Sequence, residues 1–511
     1  MKRITVVIAA ASIGLLGIPP AAAGQRFVPA PIDWGPCQSE PLREAKAECG
    51  YLEVPLDYRA PDRGKVSLAV SRVRHSTAQS QGVVLVNPGG PGVPGLELST
   101  LGKQVPGHAG DAYDWIGFDT RGVGASKPAL SCDPAYFGYH RPEYVPSTPR
   151  LEQTWLDRSR RYAEACAKNG PLLEHLRTTD IAQDMESLRK ALGEERINYY
   201  GYSWGTYLGQ VYGTLYPHRV RRMILDSNVD PRHVGYRATL NQDIAFERNI
   251  KIFFGWVAKY DHVFHLGRTG QAVEALFYAQ QRELARNPAG GLIGPSEWSD
   301  LFLRAGFYSF GWEPVARAFA NWMRDGDWQT LKALYDSWQT PGNDNGFAAY
   351  HGGACTDTQW PRWARYRSDT WETHRQAPFL TWTNGWYDAP CLFWPVKPGR
   401  PVDIDGAEVP SALLIGETLD GSTPFQGSLE VRARFPRSSL IAVTGGTTHA
   451  GSLLFSPNPC VSDQIAGYLA TGELPPRKPG NGPDTECAAP PEPTPESHAP
   501  VTGGREWLGR F

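Results

Sequence analysis

The chain has 511 residues, of which 41% are hydrophobic and 20% charged, with a formal net charge of −2. A near-neutral chain without a basic stripe argues against a nucleic-acid partner. The length suits one large α/β domain with a substantial insertion.

In chain order, Lys2 and Arg3 precede an apolar run, residues 4–18, then Pro19, Pro20 and Ala21-Ala22-Ala23. A charged start, a short apolar stretch and small residues predict a signal peptide over residues 1–23. The run is short for a membrane span, so a secreted, extracellular protein without a stable membrane anchor is expected. Eight cysteines agree with export: the count is even and no Cys-x-x-Cys points to zinc or redox work. Taken as sequence-adjacent couples they pair Cys37 with Cys49, Cys132 with Cys166, Cys355 with Cys391 and Cys460 with Cys487, one pairing of many.

Alternating polar and apolar residues at 51–58 and 66–73 predict an antiparallel hairpin at a sheet edge. Residues 82–86 and 114–119 are instead continuous apolar runs, as in strands buried on both faces. Helical periodicity follows at 151–168 and 179–192, then a strand at 197–202, a helix at 205–216 and a strand at 220–225. This alternation predicts a mostly parallel sheet in a first core segment, residues 24–232. Residues 233–400 read as a mainly helical, aromatic-rich inserted cap, its aromatics serving as a cleft lining or as ordinary core. Strand–helix alternation resumes over residues 401–474, and the Pro- and Gly-rich residues 475–511 read as an extended tail that Cys487 would tether.

The chemistry centres on Gly201-Tyr202-Ser203-Trp204-Gly205, where the strand turns directly into a helix. Such a turn exposes a serine hydroxyl above the sheet at a helix N-terminus, so Ser203 is the candidate nucleophile. A serine needs a base, the base an orienting acid, and the oxyanion fixed donors. Asp420 follows the strand at 412–415 and precedes a turn, the position for the acid, with Glu417 and Asp226 as rivals. His449, on the loop after the strand at 439–443, is the candidate base. Asn87-Pro88-Gly89-Gly90-Pro91-Gly92 follows a buried strand, where glycines let backbone N–H groups reach a reacting carbonyl. The oxyanion donors would be the N–H groups of Gly90 and Trp204. The run Asp119–Ser126 lacks the Gly-Lys-Ser/Thr ending of a phosphate loop and is expected to shape the floor beside the nucleophile. No metal-ligand spacing occurs, and neither metal nor cofactor is expected.

These motifs, with Trp34–Cys37, Cys49–Tyr58 and the stretch from Asp420 past Cys460, resemble the secreted tripeptidyl aminopeptidases of actinobacteria. Those are relatives of proline iminopeptidase among the α/β hydrolases. The likeness covers nearly all of the chain after the signal peptide, the cap least, and departs at Thr448-His449-Ala450, where relatives often carry Gly beside the histidine. It implies an α/β-hydrolase fold with a large helical cap. It further implies a serine exopeptidase that releases short peptides, typically tripeptides, from free N-termini of peptides or proteins; a monomer is expected. An acid must then hold the substrate ammonium, and Asp357 and Asp388, near the expected Cys355–Cys391 bridge, are the candidates. A secreted esterase with the same triad is the alternative reading.

Overall fold

The computed structural model describes residues 27–339, 341–454 and 458–495; the expected signal peptide lies outside them. The strands are β1 (Gly35–Pro36), β2 (Glu48–Pro55), β3 (Lys65–Val73), β4 (Val83–Asn87), β5 (Asp114–Phe118), β6 (Ile197–Tyr202), β7 (Val220–Asp226), β8 (Ala412–Glu417), β9 (Ser438–Thr444) and β10 (Thr485–Ala488). They form one ten-stranded sheet in the order β1-β2-β3-β5-β4-β6-β7-β8-β9-β10. The β1 to β3 end, including the contact of β3 with β5, is antiparallel, and every pairing from β5 to β10 is parallel.

Parallel strands need crossover helices on both faces, which is why β4 and β6 are mostly apolar and buried along their whole length. Their residues divide by the two-residue strand period. Leu85, Ile197 and Tyr199 enter one core with Trp204, Tyr207 and Val211 of helix Trp204–Leu215. Val84, Val86, Tyr200 and Tyr202 enter the other, against Val461, Ile465 and Tyr468 of helix Pro459–Thr471.

Between β7 and β8 the chain leaves the sheet for a run of helices, from Tyr236–Lys259 to Thr381–Asp388. Many of its aromatics, among them Phe253, Phe277, Trp298, Phe302, Trp312 and Phe319, build a core belonging to the cap itself. The four disulfides join Cys37 to Cys49, Cys132 to Cys166, Cys355 to Cys391 and Cys460 to Cys487.

The stretch expected to be a plain tail does more. Thr485–Ala488 pairs with β9 as the tenth strand, satisfying an edge that would otherwise present unpaired backbone groups. Four residues amid prolines carry too little periodicity to read as a strand. Beyond β10 the chain crosses to the cap: Trp256 Nε1 donates to the Pro493 carbonyl (2.8 Å), and Lys259 pairs with Glu492 (3.0 Å).

Candidate active site

Ser203 sits between β6 and helix Trp204–Leu215 with φ 53° and ψ −126°, a conformation that is costly for a residue with a Cβ. Its neighbours make the turn possible. A Cβ on Gly201 would stand 2.5 Å from the Gly205 carbonyl oxygen, and one on Gly205 would stand 2.7 Å from that of Asn87. The Ser203 N–H donates to the Asp226 carbonyl (3.0 Å), fixing the turn to the end of β7.

The loop after β4 lies directly against this turn. A Cβ on Gly89 would meet the Tyr202 carbonyl oxygen at 2.6 Å and the Ser203 Cβ at 2.9 Å, so only glycine fits. The Asn87 side chain accepts from the Gly89 N–H (3.0 Å) and holds the loop. Among the described residues the N–H groups of Gly90 and Trp204 donate to nothing, which leaves both for a ligand.

Asp420 and His449 meet at the ends of β8 and β9. His449 Nδ1 lies 2.9 Å from Asp420 Oδ2 and 3.1 Å from Oδ1, both residues being buried. The N–H groups of Ser422 and Thr423 donate to Asp420 Oδ1 (2.8 and 3.0 Å), and the Thr423 hydroxyl donates to Oδ2 (2.8 Å). Burial works to raise the Asp420 pKa. The charge and hydrogen bond of His449 and the Thr423 donors outweigh it and hold the group below the ordinary carboxylate value. With Nδ1 committed to a carboxylate, Nε2 is the nitrogen left to act as a base.

The rival acids have other partners. Asp226 Oδ2 accepts from the Ser452 N–H (2.9 Å) and hydroxyl, and the Ala450 N–H donates to Ser227 Oγ (2.7 Å). That pair of residues anchors the loop just past His449. Glu417 is buried behind Asp420, and burial together with the charges of Asp226 and Asp420 pushes its pKa up to about 9.

Ser203 and His449 both face a cavity of about 570 Å³ between sheet and cap. Gly90 and Gly92 line it on the sheet side, and Phe307, Trp338, Tyr350, Trp386 and Asp388 on the cap side. Asp388 closes helix Thr381–Asp388 and accepts from Thr239 Oγ1 (2.7 Å) and the Tyr350 hydroxyl (2.9 Å). Burial raises its pKa to about 6 against the opposing effect of these two hydrogen bonds. A Cβ on Gly92 would lie 3.1 Å from the Tyr350 backbone nitrogen, so Tyr350 stands with its backbone against the glycine loop and its hydroxyl on Asp388.

Asp357, the other candidate for the ammonium, does not line the cavity. Its carboxylate accepts from the Thr178 N–H (2.9 Å) and hydroxyl, closing the N-terminus of helix Thr178–Ala191. It is a helix-terminus carboxylate away from the cavity. The Asp119–Ser126 run does lie beside the site: Asp119 accepts from the N–H groups of Gly95 (2.7 Å) and Ala125 (2.8 Å), and Gly124 reaches the cavity wall.

Sequence reasoning missed the wall supplied by residues 129–155. Arg141 and Tyr144 come from a loop without periodicity, and Trp155 from a helix assigned to the core. Arg141 is buried between Glu297 (3.2 Å) and Asp300 (2.6 Å) of cap helix Pro295–Phe307. A lone buried arginine between two acids leaves no pattern in a linear chain.

A strand-to-helix serine, a glycine-rich loop after an upstream strand, and a buried acid–histidine pair after β8 and β9 define an α/β hydrolase of the serine type. Residues 82–276 match the family described as the alpha/beta hydrolase fold, and residues 377–487 that of the TAP-like protein. The tripeptidyl aminopeptidase of Streptomyces lividans is 38% identical over 484 residues, spanning 92% of this chain and 88% of that one. The chain belongs to the tripeptidyl aminopeptidase family and is a serine peptidase. More distant relatives are the serine protease Hip1 of Mycobacterium tuberculosis, 28% identical over 87% of this chain and 90% of that one, and carboxylesterase B of the same organism, 28% identical over 84% and 85%.

Proposed function

We propose that this enzyme is an extracellular exopeptidase that releases tripeptides from free N-termini. Ser203 Oγ attacks the scissile carbonyl as His449 Nε2 takes its proton. Asp420 holds the imidazolium that results. The N–H groups of Gly90 and Trp204 receive the oxyanion, and the imidazolium returns the proton to the leaving amine. Water, activated by the same imidazole, then hydrolyses the acyl-enzyme.

The observation that carries this reading is the pairing of His449 with Asp420 on a cavity that also holds Ser203 and Asp388. Asp388 keeps a lone pair on each oxygen for the substrate ammonium. The tripeptide length is supported by the 38% identity to the tripeptidyl aminopeptidase of Streptomyces lividans. The disulfides fit an oxidising compartment, which supports export.

The test compares tripeptidyl anilides bearing a free amine with their N-acetylated counterparts and with dipeptidyl and tetrapeptidyl anilides. The expected result is turnover of the free tripeptidyl compound and a loss of at least tenfold in kcat/KM for each of the others. Equal turnover of the acetylated compound would overturn the assignment. The 28% identity to a carboxylesterase makes short acyl esters the second substrate set; preference for these over the free tripeptidyl anilide would favour the esterase reading.

A further inference from the structure

We propose that Glu417 is a positioning residue of this triad, its side chain packed as a spacer between the loop that carries Asp420 and the loop that carries His449. The inference rests on the triad proposed above and adds a residue that touches neither substrate nor the reacting atoms.

The two loops are stitched together at their bases. The Thr418 N–H donates to the Val443 carbonyl (3.0 Å), the Leu419 N–H to the Gly446 carbonyl (2.9 Å), and the Gly445 N–H to Thr418 Oγ1 (2.9 Å). The Glu417 side chain fills the space between them: a Cβ on Gly446 would fall 1.3 Å from Glu417 Oε2. Glycine at 446 and a carboxyl at 417 therefore fit as a pair. Asp420 is tied back to the same residue, its N–H donating to the Glu417 carbonyl (3.2 Å).

Glu417 Oε2 is buried and has no hydrogen-bond partner among the described residues. The ionisable groups facing the carboxyl are Asp226, from the end of β7, and Asp420, from its own loop. From β9 it meets Val443, from the histidine loop Gly446, and helix Gln426–Arg434 packs behind Gly416 through Ser428; His449 reaches the cluster through Asp420. With Asp420 charged, a second charge at Glu417 would be desolvated, unpaired and repelled. The acid form fits this slot, and losing its proton forces the two loops apart.

The experiment measures the rate of Ser203 labelling by a fluorophosphonate from pH 6 to 10.5, a readout independent of peptide recognition. In the wild type the rate is expected to fall at least fivefold above about pH 9. In Glu417→Gln, which cannot ionise, that alkaline fall disappears. Glu417→Leu lowers the rate at pH 7 at least tenfold, with KM for the tripeptidyl anilide unchanged, and the Gln variant restores most of it. A Gln variant with the same alkaline fall as the wild type, or a Leu variant with wild-type rates, overturns the proposal. Should the Leu variant fail to fold, the Gln comparison still decides. A further readout is melting: folding holds the Glu417 proton between about pH 4.5 and 9, so this group's contribution to stability falls as pH rises through that window. Glu417→Gln is therefore expected to melt higher than the wild type at pH 8, and a lower melting point counts against the proposal. Absence of labelling in the wild type would strike at the triad itself, a different failure.

Discussion

The backbone N–H of His449 donates to the carbonyl of Phe307 at 2.9 Å, and the two rings meet edge to face with centroids 5.8 Å apart. The histidine stands on the loop after β9, whereas Phe307 ends a cap helix. A second tie runs beside it, between the hydroxyls of Ser309 and Thr448 (2.9 Å). The proposed base is thus held by sheet and cap together.

Removing the ring should therefore be felt in the chemistry. Phe307→Ala is expected to lower kcat roughly 10- to 100-fold, the scale of a misplaced catalytic group. Steady-state kinetics on a tripeptidyl anilide checks this, and an unchanged kcat would show that the backbone bond alone suffices.

The triad makes a graded prediction. Ser203→Ala should lose about 10⁶ in kcat. Asp420→Asn, which keeps the shape but spoils the tautomer, should lose about 10⁴. Active-site titration beside the kinetics separates true residual turnover from contaminating wild type.

Asp388 gives a prediction in substrate binding. Asp388→Asn should raise KM for the free-amine substrate about 10- to 100-fold, the worth of a hydrogen bond to a charged group. In the wild type KM should rise as pH falls through about 6, because the carboxylate then gains a proton and no longer attracts the ammonium. The Asn variant should lack this acid-side rise, and a persistent one would assign it to another group.

Arg141 bears on stability. Arg141→Ala leaves Glu297 and Asp300 buried without their cation and should cost about 3–5 kcal/mol. Denaturant melts of the two proteins measure it, and a change below 1 kcal/mol would show that water or rearrangement repairs the gap.

That Ser203, Asp420 and His449 would gather at one end of the sheet was legible because each lies just past a strand and strand order is a local, repeating signal. Asp357 and Asp388 were not separable. Both lie near the Cys355–Cys391 bridge, and which carboxylate faces the cavity is decided by how two cap helices dock. The same holds for Thr239 and Tyr350, which meet Asp388 from helices far apart in the chain. β10 was hidden for another reason: its pairing partner, not its own residues, makes it a strand.

The Pro493 contact with Trp256 has a mechanical meaning. The cap is joined covalently to β7 and β8 and tied to the histidine loop, and this contact adds a further anchorage, reached through an edge strand that Cys460–Cys487 rivets to helix Pro459–Thr471. A body pinned at so many points does not swing like a door. On the exopeptidase reading proposed above, a substrate must then thread in by its chain end, and a frayed terminus can enter where a folded surface cannot.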